Sequence, residues 1–423
     1  MKRTILSAGP EMAQDNALLR EVIAFVNRMY KIDKDTNARS PCGLPVSLHA
    51  EHQPTVMGWS TTQKTTLRDY VVSSKADGTR QLVGFFETNK GSKAFFVDRD
   101  WNVHLLNASF PPRFYEGTLL DVERIDQGLN DPTTSPHIPL MLIFDVIALF
   151  GKRLSHLSYM TRLQEGHYAL DVLARRRDAK SEEKKLEPAL VWLLNPPALS
   201  LCRECHGMSG MRKLEMFQLD NCLWAVKPCY MACMTALVLA QPLPFATDGL
   251  VYTPTSDHIP LFRSPQIFKW KPSHQQTVDF AVLIMTDKTV IPLDMMTKPN
   301  PFRALRKGDT VGLFVKTRTR ALELYASTRV GAEIACSHPS PVPDQMWICD
   351  QCAAVNPTVS ISCLQCQKWS RTLSIFECMW DVRHFMWRLI KLRTDKGEPN
   401  AKVVADDVVQ SLVENVKPWT WWT

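Results

Sequence analysis

The chain has 423 residues, a length that allows two or three domains. Hydrophobic residues make up 45% of it and charged residues 22%, as in an ordinary soluble globular protein, and the formal net charge of +7 permits nucleic-acid or nucleotide binding without requiring it. The longest apolar run, residues 138–150, is interrupted by Asp145 and is too short to cross a bilayer, and the N-terminus lacks the apolar core of a signal peptide. We therefore expect an intracellular protein with no membrane association, whose twelve cysteines are thiols or metal ligands rather than disulfides.

The first half of the chain predicts one helix followed by a series of short strands. Residues 12–30 carry apolar side chains at near-helical spacing, whereas residues 40–54 are rich in proline and glycine and predict irregular structure. Strands are predicted where β-prone runs are bounded by turn signals, at residues 71–86, 93–99, 102–106, 117–124 and 140–149. A second helix is predicted over residues 159–177, ending in a charged run.

The second half of the chain predicts further strands, a change in composition and a final helix. Strands are predicted at residues 249–252, 267–271, 278–285, 311–317, 322–326 and 373–379, and the helix at 403–416. A proline- and cysteine-rich insert begins near Ser337. We divide the chain into an N-terminal helical segment (1–39), a first domain (40–272) and a second domain (273–423) that contains an insert at 343–369.

The most informative motif is Lys75-Ala76-Asp77-Gly78-Thr79-Arg80, in a tight connection between two predicted strands. Its lysine can reach into a pocket, its glycine lets the backbone approach a phosphate or ribose, and its arginine offers a planar cation to oxyanions. This combination suits a nucleophilic lysine that takes up a nucleotide. A charged hairpin turn has the same composition.

Acidic residues recur in the strands that follow. Asp121 and Glu123 are two residues apart and should face the same side of their strand, where they can bind ribose hydroxyls or a metal. Asp145 lies inside an apolar strand and needs a partner there. Asp248 directly precedes Gly249 and a further strand. For each of these motifs taken alone, ordinary surface charge is the favoured interpretation.

Two basic motifs complete the series. Lys269 and Lys271 are predicted to share one face of a strand, where a triphosphate would relieve their repulsion. The segment Arg393-Thr394-Asp395-Lys396-Gly397-Glu398-Pro399-Asn400 forms a dense charged turn before the final helix.

The order of these motifs resembles the nucleotidyltransferase superfamily of mRNA capping enzymes and polynucleotide ligases, and in detail its mRNA guanylyltransferase branch. The resemblance covers about residues 40–415 and rests also on Pro41-Cys42-Gly43-Leu44-Pro45-Val46-Ser47, Val97-Asp98-Arg99, Lys269-Trp270-Lys271-Pro272 and Thr277-Val278-Asp279-Phe280. Cys42 and Val122 stand where the family usually has glycine.

This resemblance implies an α+β fold. An ATP-grasp-like nucleotidyltransferase domain, made of antiparallel sheets with flanking helices, would be followed by an OB-fold β-barrel that closes over the nucleotide. It also implies a two-step reaction with Mg²⁺ or Mn²⁺. Lys75 would attack the α-phosphorus of GTP to form a lysyl–GMP, and the GMP would pass to a 5′-diphosphate RNA end.

The resemblance implies residue roles as well. Arg80 and Glu123 would contact the ribose, Arg99 the phosphates and Lys227 the guanine. Asp248 and Glu123 would bind the divalent metal, and Lys269 and Lys271 would contact the α-phosphate. The leaving pyrophosphate would be oriented by Arg393, Asp395 and Lys396, and Asp279 would contact the nucleotide.

The insert carries a second strong motif, Trp347-Ile348-Cys349-x2-Cys352-x3-Asn356-x6-Cys363-x2-Cys366. Four thiolates at this spacing can bind Zn²⁺ tetrahedrally. The motif resembles the small zinc finger first known from a nuclear-pore Ran-binding protein, which implies an RNA or protein ligand, and a purely structural knuckle fits it as well. A weaker metal candidate combines Cys202, Cys205 and His206 with Cys229 and Cys233, for which ordinary buried thiols are the favoured interpretation.

Two alternatives to a guanylyltransferase stay open at this point: an ATP-dependent RNA or DNA ligase, and a non-catalytic scaffold that binds RNA or protein. If the enzyme interpretation holds, we expect a separate RNA triphosphatase and methyltransferase as partners, and also the tail of RNA polymerase II. The expected location is the nucleus, or the cytoplasm or a viral factory if the source is a virus.

Overall fold

The computed structural model of the chain divides into two compact units. Unit 1 comprises Met1–Trp270 and Lys417–Thr423, and unit 2 comprises Lys271–Val416. The structure describes residues 16–32, 40–57, 70–89, 91–106, 110–126, 138–177, 183–185, 190–193, 213–219, 222–255, 259, 261–284, 302–304, 307–319, 322–331, 339–341, 346–348, 355–357, 374–394 and 396–422.

Unit 1 contains four helices and sixteen strands among its described residues. The helices are α1 (Asn16–Tyr30), α2 (Gln53–Met57), α3 (Tyr159–Leu173) and α4 (Thr235–Ala240). The strands are β1 (Leu44–Ser47), β2 (Tyr70–Ala76), β3 (Thr79–Thr88), β4 (Gly91–Val97), β5 (Val103–Leu105), β6 (Thr118–Ile125), β7 (Leu140–Leu149), β8 (Lys152–Arg153), β9 (Arg175–Arg177), β10 (Glu183–Lys185), β11 (Leu190–Leu193), β12 (Lys213–Leu219), β13 (Cys222–Val226), β14 (Tyr230–Met231), β15 (Thr247–Pro254) and β16 (Arg263–Trp270).

Two mostly antiparallel sheets form the body of unit 1. Sheet A has five strands in the order β1-β16-β15-β2-β14, with β1 parallel to β16. Sheet B has nine strands in the order β11-β12-β13-β7-β6-β3-β4-β5, with β8 paired to β7 and with β13 parallel to β7. Strands β9 and β10 form a separate antiparallel pair. The predicted α+β class, with antiparallel sheets and flanking helices, is therefore confirmed for this unit.

Sheet B is covered by a helix on each face. Successive residues of a strand point to opposite faces, and accordingly Leu82 packs in the cluster that contains α1 whereas Val83 packs in the cluster that contains α3. The amphipathic helix α1 presents Phe25 to the sheet, where its ring stacks on Phe86 with centroids 4.8 Å apart.

Among the described residues, no helix is both long and apolar enough to cross a membrane.

The chain passes from sheet A to sheet B within two residues. Strand β2 ends at Ala76 in sheet A, and β3 begins at Thr79 in sheet B. A Cβ at Gly78 would lie 2.5 Å from the carbonyl oxygen of Arg124 in β6, so a larger residue does not fit there. The alternative of a hairpin turn at this motif is therefore wrong, because β2 and β3 are not paired with each other.

A buried ion pair fastens α3 to β7. Arg162, which is fully buried, donates from Nε and Nη2 to the two carboxylate oxygens of Asp145 at 2.8 and 3.0 Å, and from Nη1 to the Leu157 carbonyl. The partner that Asp145 needs inside its apolar strand is thus an arginine seventeen residues further along the chain.

Unit 2 contains nine strands and one helix among its described residues. They are β17 (Thr277–Ile284), β18 (Phe302–Ala304), β19 (Thr310–Lys316), β20 (Leu322–Arg329), β21 (Pro339–Pro341), β22 (Met346–Ile348), β23 (Val355–Pro357), β24 (Ile375–Asp381), β25 (Met386–Leu392) and α5 (Lys402–Glu414). Five of the strands form an antiparallel sheet in the order β20-β19-β17-β24-β25, and α5 packs Ala405 and Val408 into its apolar core. The two short pairs are β18 with β21 and β22 with β23.

The predicted closed barrel is not present among the described strands of unit 2. Their sheet runs from β20 to β25 with no backbone pairing between these two edge strands, although the Thr328 hydroxyl of β20 donates to the Trp387 carbonyl of β25. Closure of a barrel needs strand tilt and register stagger that the apolar alternation of single strands does not encode.

We expect the Arg162–Asp145 pair to be a major contributor to the stability of unit 1. Arg162→Ala leaves a carboxylate buried without its cation, and should lower the free energy of unfolding by about 3–5 kcal/mol in urea titrations. Arg175→Ala is the matched control, because the Arg175–Asp171 pair is half-exposed and should contribute about 0.5 kcal/mol or less. Equal losses in the two variants would contradict this prediction.

Candidate active site

The lysine of the motif is ion-paired. Lys75, near the end of β2, donates from Nζ to Asp248 Oδ1 at 2.7 Å and to Oδ2 at 3.0 Å. The two side chains retain 26% and 15% of their exposure, so they remain accessible to a ligand. The structure therefore brings together two residues that are 173 positions apart in the sequence.

An irregularity in sheet A directs Asp248 towards this lysine. Strand β15 pairs with β2, but the register shifts between Thr247 and Gly249, so that Gly249 lies opposite Lys75 and Asp248 is the extra residue. Gly249 has a φ of +149°, which favours glycine. A bulge of this kind re-aims a side chain, and this explains the Asp-Gly sequence.

Arg80 joins the lysine motif to the loop before β1. Its Nε donates to Asp121 Oδ1 at 2.9 Å, its Nη2 donates to Asp121 Oδ2, and its Nη1 donates to the Gly43 carbonyl. Burial tends to lower the pKa of Arg80, but the carboxylate of Asp121 outweighs it and raises that pKa. The guanidinium is thus a fixed cation that ties residues 41–47 to sheet B.

Glu123 lies opposite Arg80 in the register of β3 and β6, on the same side as Asp121, as the two-residue spacing predicts. Burial raises the pKa of its carboxyl above the ordinary range, and the positive charges around it offset part of that rise. Those charges, in order of their effect, belong to Lys227, Lys75, Arg80 and Arg99.

Lys227 is a buried cation in the same group of charges. It follows β13, and its backbone N–H donates to the Ile143 carbonyl of β7 at 2.7 Å. Burial lowers the pKa of Lys227 to about 8, Glu123 works against that shift and the charge of Lys75 adds to it. Lys227 therefore carries a proton that it can lose near neutral pH.

Phe144 is a member of this group that the sequence did not single out. It is the one residue of β7 that is only partly buried. The Arg80 Cζ lies 5.0 Å from its ring centroid and the Lys227 Nζ lies 5.8 Å from it, both within cation–π range. The sequence does show an aromatic residue directly before Asp145 in this strand. An apolar run does not indicate, however, which of its side chains is exposed.

The other predicted residues of unit 1 flank the cluster. Arg99 is exposed in the turn after β4 and acts electrostatically on Glu123. Lys269 lies in β16, with Val251 of β15 and Ser47 of β1 as register partners. Strand β16 ends at Trp270, so Lys271 lies beyond the strand and not on its face as predicted.

Unit 2 holds its own charged cluster around Asp279. This buried carboxylate, in β17, accepts from Arg393 Nη1 at 3.0 Å and from Lys396 Nζ. Asn400 binds both backbone groups of Asp279. Its side-chain oxygen accepts from the Asp279 N–H, and its own N–H donates to the Asp279 carbonyl, each at 2.7 Å. Lys316 pairs in turn with Glu398. The structure thus places Asp279 as the counter-ion of the C-terminal basic motif.

Several predicted residues lie outside the described residues. They are Asp395, Cys202, Cys205, His206 and the zinc-motif cysteines Cys349, Cys352, Cys363 and Cys366. Within the described ranges there is no group of three or more His, Cys, Asp or Glu side chains placed to hold a metal ion. Cys229 and Cys233 do not form a disulfide, and burial raises the pKa of Cys229 to about 12.

The fold and the cluster together define an enzyme of the nucleotidyltransferase class, with an ion-paired lysine amine beside several cations suited to a nucleotide's phosphates. Two sequence-family models narrow this class to the mRNA capping enzyme. Its catalytic domain matches residues 11–191 and its C-terminal domain matches residues 342–419, which together exceed half of the chain. The chain belongs to the mRNA capping enzyme family and is an mRNA guanylyltransferase.

Named relatives agree with this assignment. The mRNA-capping enzyme subunit alpha of Eremothecium gossypii is 23% identical over 390 residues, which cover 84% of this chain and 73% of the relative. The subunit of the same name from Kluyveromyces lactis is 22% identical, covering 96% of this chain and 81% of the relative. Among solved structures, a mycobacterial DNA ligase D complexed with ATP is 10% identical at a TM-score of 0.35, covering 86% of this chain and 97% of the ligase. Similarity of that degree does not bear on function.

The buried lysine offers a pH-dependent test of the cluster. Glu123→Gln removes a negative charge that stabilises the ammonium form of Lys227, so the pKa of Lys227 should fall below about 8. NMR titration of the lysine side chains measures this value. Glu215→Gln, an exposed change in β12, is the control and should leave it unchanged. An unchanged or higher pKa of Lys227 in Glu123→Gln would contradict the described cluster.

Proposed function

We propose that Lys75 is the residue to which GMP becomes attached. The observation that carries this proposal is the contact of its amine with both oxygens of Asp248, at 2.7 and 3.0 Å. The pair holds the amine at the point where sheet A passes into sheet B, and Asp248 is a proton acceptor within hydrogen-bond reach. Attack requires the amine to lose a proton.

The proposed reaction has two steps. In the first, the Lys75 amine attacks the α-phosphorus of GTP, a P–N bond forms, and the bond to pyrophosphate breaks with its electron pair leaving on the pyrophosphate. In the second, an oxygen of the RNA 5′-diphosphate attacks the same phosphorus, the P–N bond breaks, and Lys75 regains a proton. The product is a 5′–5′ linked GMP cap.

The residues around Lys75 suit a nucleotide. We assign the guanine to the partly exposed ring of Phe144, since aromatic rings stack on bases, with Lys227 at the base edge. Asp121 and Gly43 engage three of the five N–H groups of Arg80. We assign the other two N–H groups of Arg80, together with Glu123, to the ribose hydroxyls.

The phosphates and the metal are assigned to the flanking residues. Arg99 and Lys269 would meet the phosphates, where cations stabilise the charge of the transferred group. Glu123 and Asp248 supply oxygen donors of the kind that Mg²⁺ and Mn²⁺ prefer, and Mg²⁺ commonly needs only one or two carboxylates besides substrate phosphates and water. When bound, the cation would offset the charge of the triphosphate.

For unit 2 we propose a partly open, five-stranded OB-fold whose basic motif acts on the leaving group. Arg393 and Lys396 both pair with the carboxylate of Asp279. We assign the leaving pyrophosphate to this basic motif, together with Asp395 and Lys271.

Covalent labelling tests the nucleophile. The native chain, incubated with radioactive GTP and Mg²⁺, should form an adduct that pyrophosphate reverses, and Lys75→Ala should abolish it because no other residue supplies the amine at that position. Lys152→Ala, an exposed change in β8, is the control and should label normally.

Three results would contradict the proposal. Labelling of Lys75→Ala at the native level would exclude Lys75 as the nucleophile. Labelling of the native chain by ATP in preference to GTP would favour the ligase alternative. Absence of any adduct from the native chain would favour the non-catalytic scaffold.

We also propose that the insert at residues 343–369 binds Zn²⁺ through Cys349, Cys352, Cys363 and Cys366. Support comes from the backbone of β22 and β23, which form an antiparallel pair with Trp347 opposite Asn356. The first two cysteines follow β22 within the connection between these strands, as in a zinc knuckle. The finger would then serve to bind RNA or protein, or to staple the insert.

Metal analysis tests the zinc proposal. The native chain should contain about one equivalent of zinc by mass spectrometry, and the double change Cys349→Ser with Cys352→Ser should lose it, because two thiolates do not satisfy a structural site. Cys222→Ser alters a buried thiol of unit 1 and should leave the zinc content unchanged. Full zinc retention in the double variant would contradict the site.

The remaining partners follow from the chemistry. A cap needs a diphosphate RNA end and a later methylation, so we propose that a separate RNA triphosphatase and methyltransferase act before and after this chain. The related fungal proteins are named subunit alpha, which supports a partner subunit. A nuclear location and contact with the tail of RNA polymerase II are part of the same proposal.

A further inference from the structure

The C-terminal segment of the chain returns to unit 1. Helix α5 of unit 2 ends at Asn415, whose left-handed backbone (φ +44°) turns the chain, and the residues from Lys417 onwards belong to unit 1. Residues Pro418–Trp422 form a 3-10 turn in which Pro418 is buried. Thr420 closes this turn by donating from N and Oγ1 to the Lys417 carbonyl at 3.0 and 2.8 Å. We call residues 417–422 the tail.

The tail packs on the residue at which the chain first leaves unit 1. Trp419 meets Trp270 edge to face, with ring centroids 5.5 Å apart and an interplanar angle of 85°. Such a pair contributes specific attraction in addition to the burial of its area. Trp270 is the last residue of β16 and the neighbour of Lys269, and it is 7% exposed.

The same tail touches α2 and α4. Helix α2 follows β1 after one short turn, and Ser47 of β1 is the register partner of Lys269. Helix α4 precedes β15, the strand that carries Asp248, and the two are joined by the Thr235 Oγ1 to Tyr252 Oη hydrogen bond of 2.8 Å. The tail therefore rests on elements connected to β15 and β16, the strands that carry Asp248 and Lys269.

We propose that the tail is a positioning element for the nucleotide site, with Trp419 as its main positioning residue. Trp419 holds Trp270, and Trp270 fixes the end of β16 from which Lys269 reaches the phosphate. The inference rests on the proposed role of Lys269. Trp419 itself touches no reacting atom in this account, so its loss should slow the reaction at saturating GTP more than it weakens GTP binding.

Two measurements on the full chain test this. The first is the rate of lysyl–GMP formation in single turnovers. Trp419→Ala should slow this rate about tenfold or more at saturating GTP, because misplacing a positioned group by about 1 Å can lower a reaction rate on the order of 100-fold. The half-saturating GTP concentration should change less than threefold. Trp419→Phe keeps an aromatic edge and should retain at least half of the rate. Val413→Ala, at a 79% exposed position of α5, is the control and should match the native chain.

The second measurement is hydrogen exchange without GTP, followed on the peptide that covers residues 264–271. Trp419→Ala should raise exchange there about tenfold, whereas Trp419→Phe and Val413→Ala should not. This readout needs no activity, so it stands even if the nucleophile is not Lys75.

Two outcomes would overturn the inference. One is a native labelling rate together with native exchange in Trp419→Ala. The other is a slowed rate that follows a lowered melting temperature and is shared equally by Trp419→Phe, because that would mark a merely structural contact.

Discussion

The site depends on the two-residue passage from sheet A to sheet B. Strand β2 of sheet A ends at Ala76 and β3 of sheet B begins at Thr79, with Asp77 and Gly78 between them, so Lys75 and Arg80 each lie next to a strand end. The passage works only because Gly78 lies against the backbone of Arg124, where a side chain would collide. Glycine was expected in this motif for the approach of a phosphate. In the structure it is required by the approach of the protein's own backbone, which sets Lys75 and Glu123 close enough for their charges to interact.

A second theme is the pairing of cations with carboxylates. Asp248 holds Lys75, Asp121 holds Arg80, and Asp279 holds both Arg393 and Lys396. Clustered cations would otherwise repel one another. In the proposed function, the negative charge of a nucleotide triphosphate would take over part of this role, and the released carboxylates would become available as metal ligands or proton acceptors.

The elements that were predictable from the sequence are those with a strong local pattern. The apolar run 140–149 is β7, and the periodic stretch before Tyr30 is α1. Residues 40–54 were expected to be irregular, and this was wrong, because β1 exists through its pairing with β16 more than two hundred residues later. A proline is tolerated there since β1 lies at the edge of its sheet.

The same limit applies to the site. Charged residues in ordered motifs could be identified, because chemistry restricts which side chains serve a phosphoryl transfer. Arg162 and Phe144 could not, since one is an ordinary residue of a helix and the other one ring in an apolar strand. The contact between Lys75 and Asp248 depends on a β-bulge, and bulges follow from sheet pairing rather than from local composition.

The most direct test of the account is to locate the nucleotide on the native protein. After incubation with GTP and Mg²⁺, proteolysis under conditions that preserve a P–N bond and mass spectrometry of the fragments would identify the modified residue. We expect GMP on the peptide that contains Lys75, with fragment ions that assign it to the Lys75 side chain. GMP on Lys227, Lys269 or any other residue would contradict it.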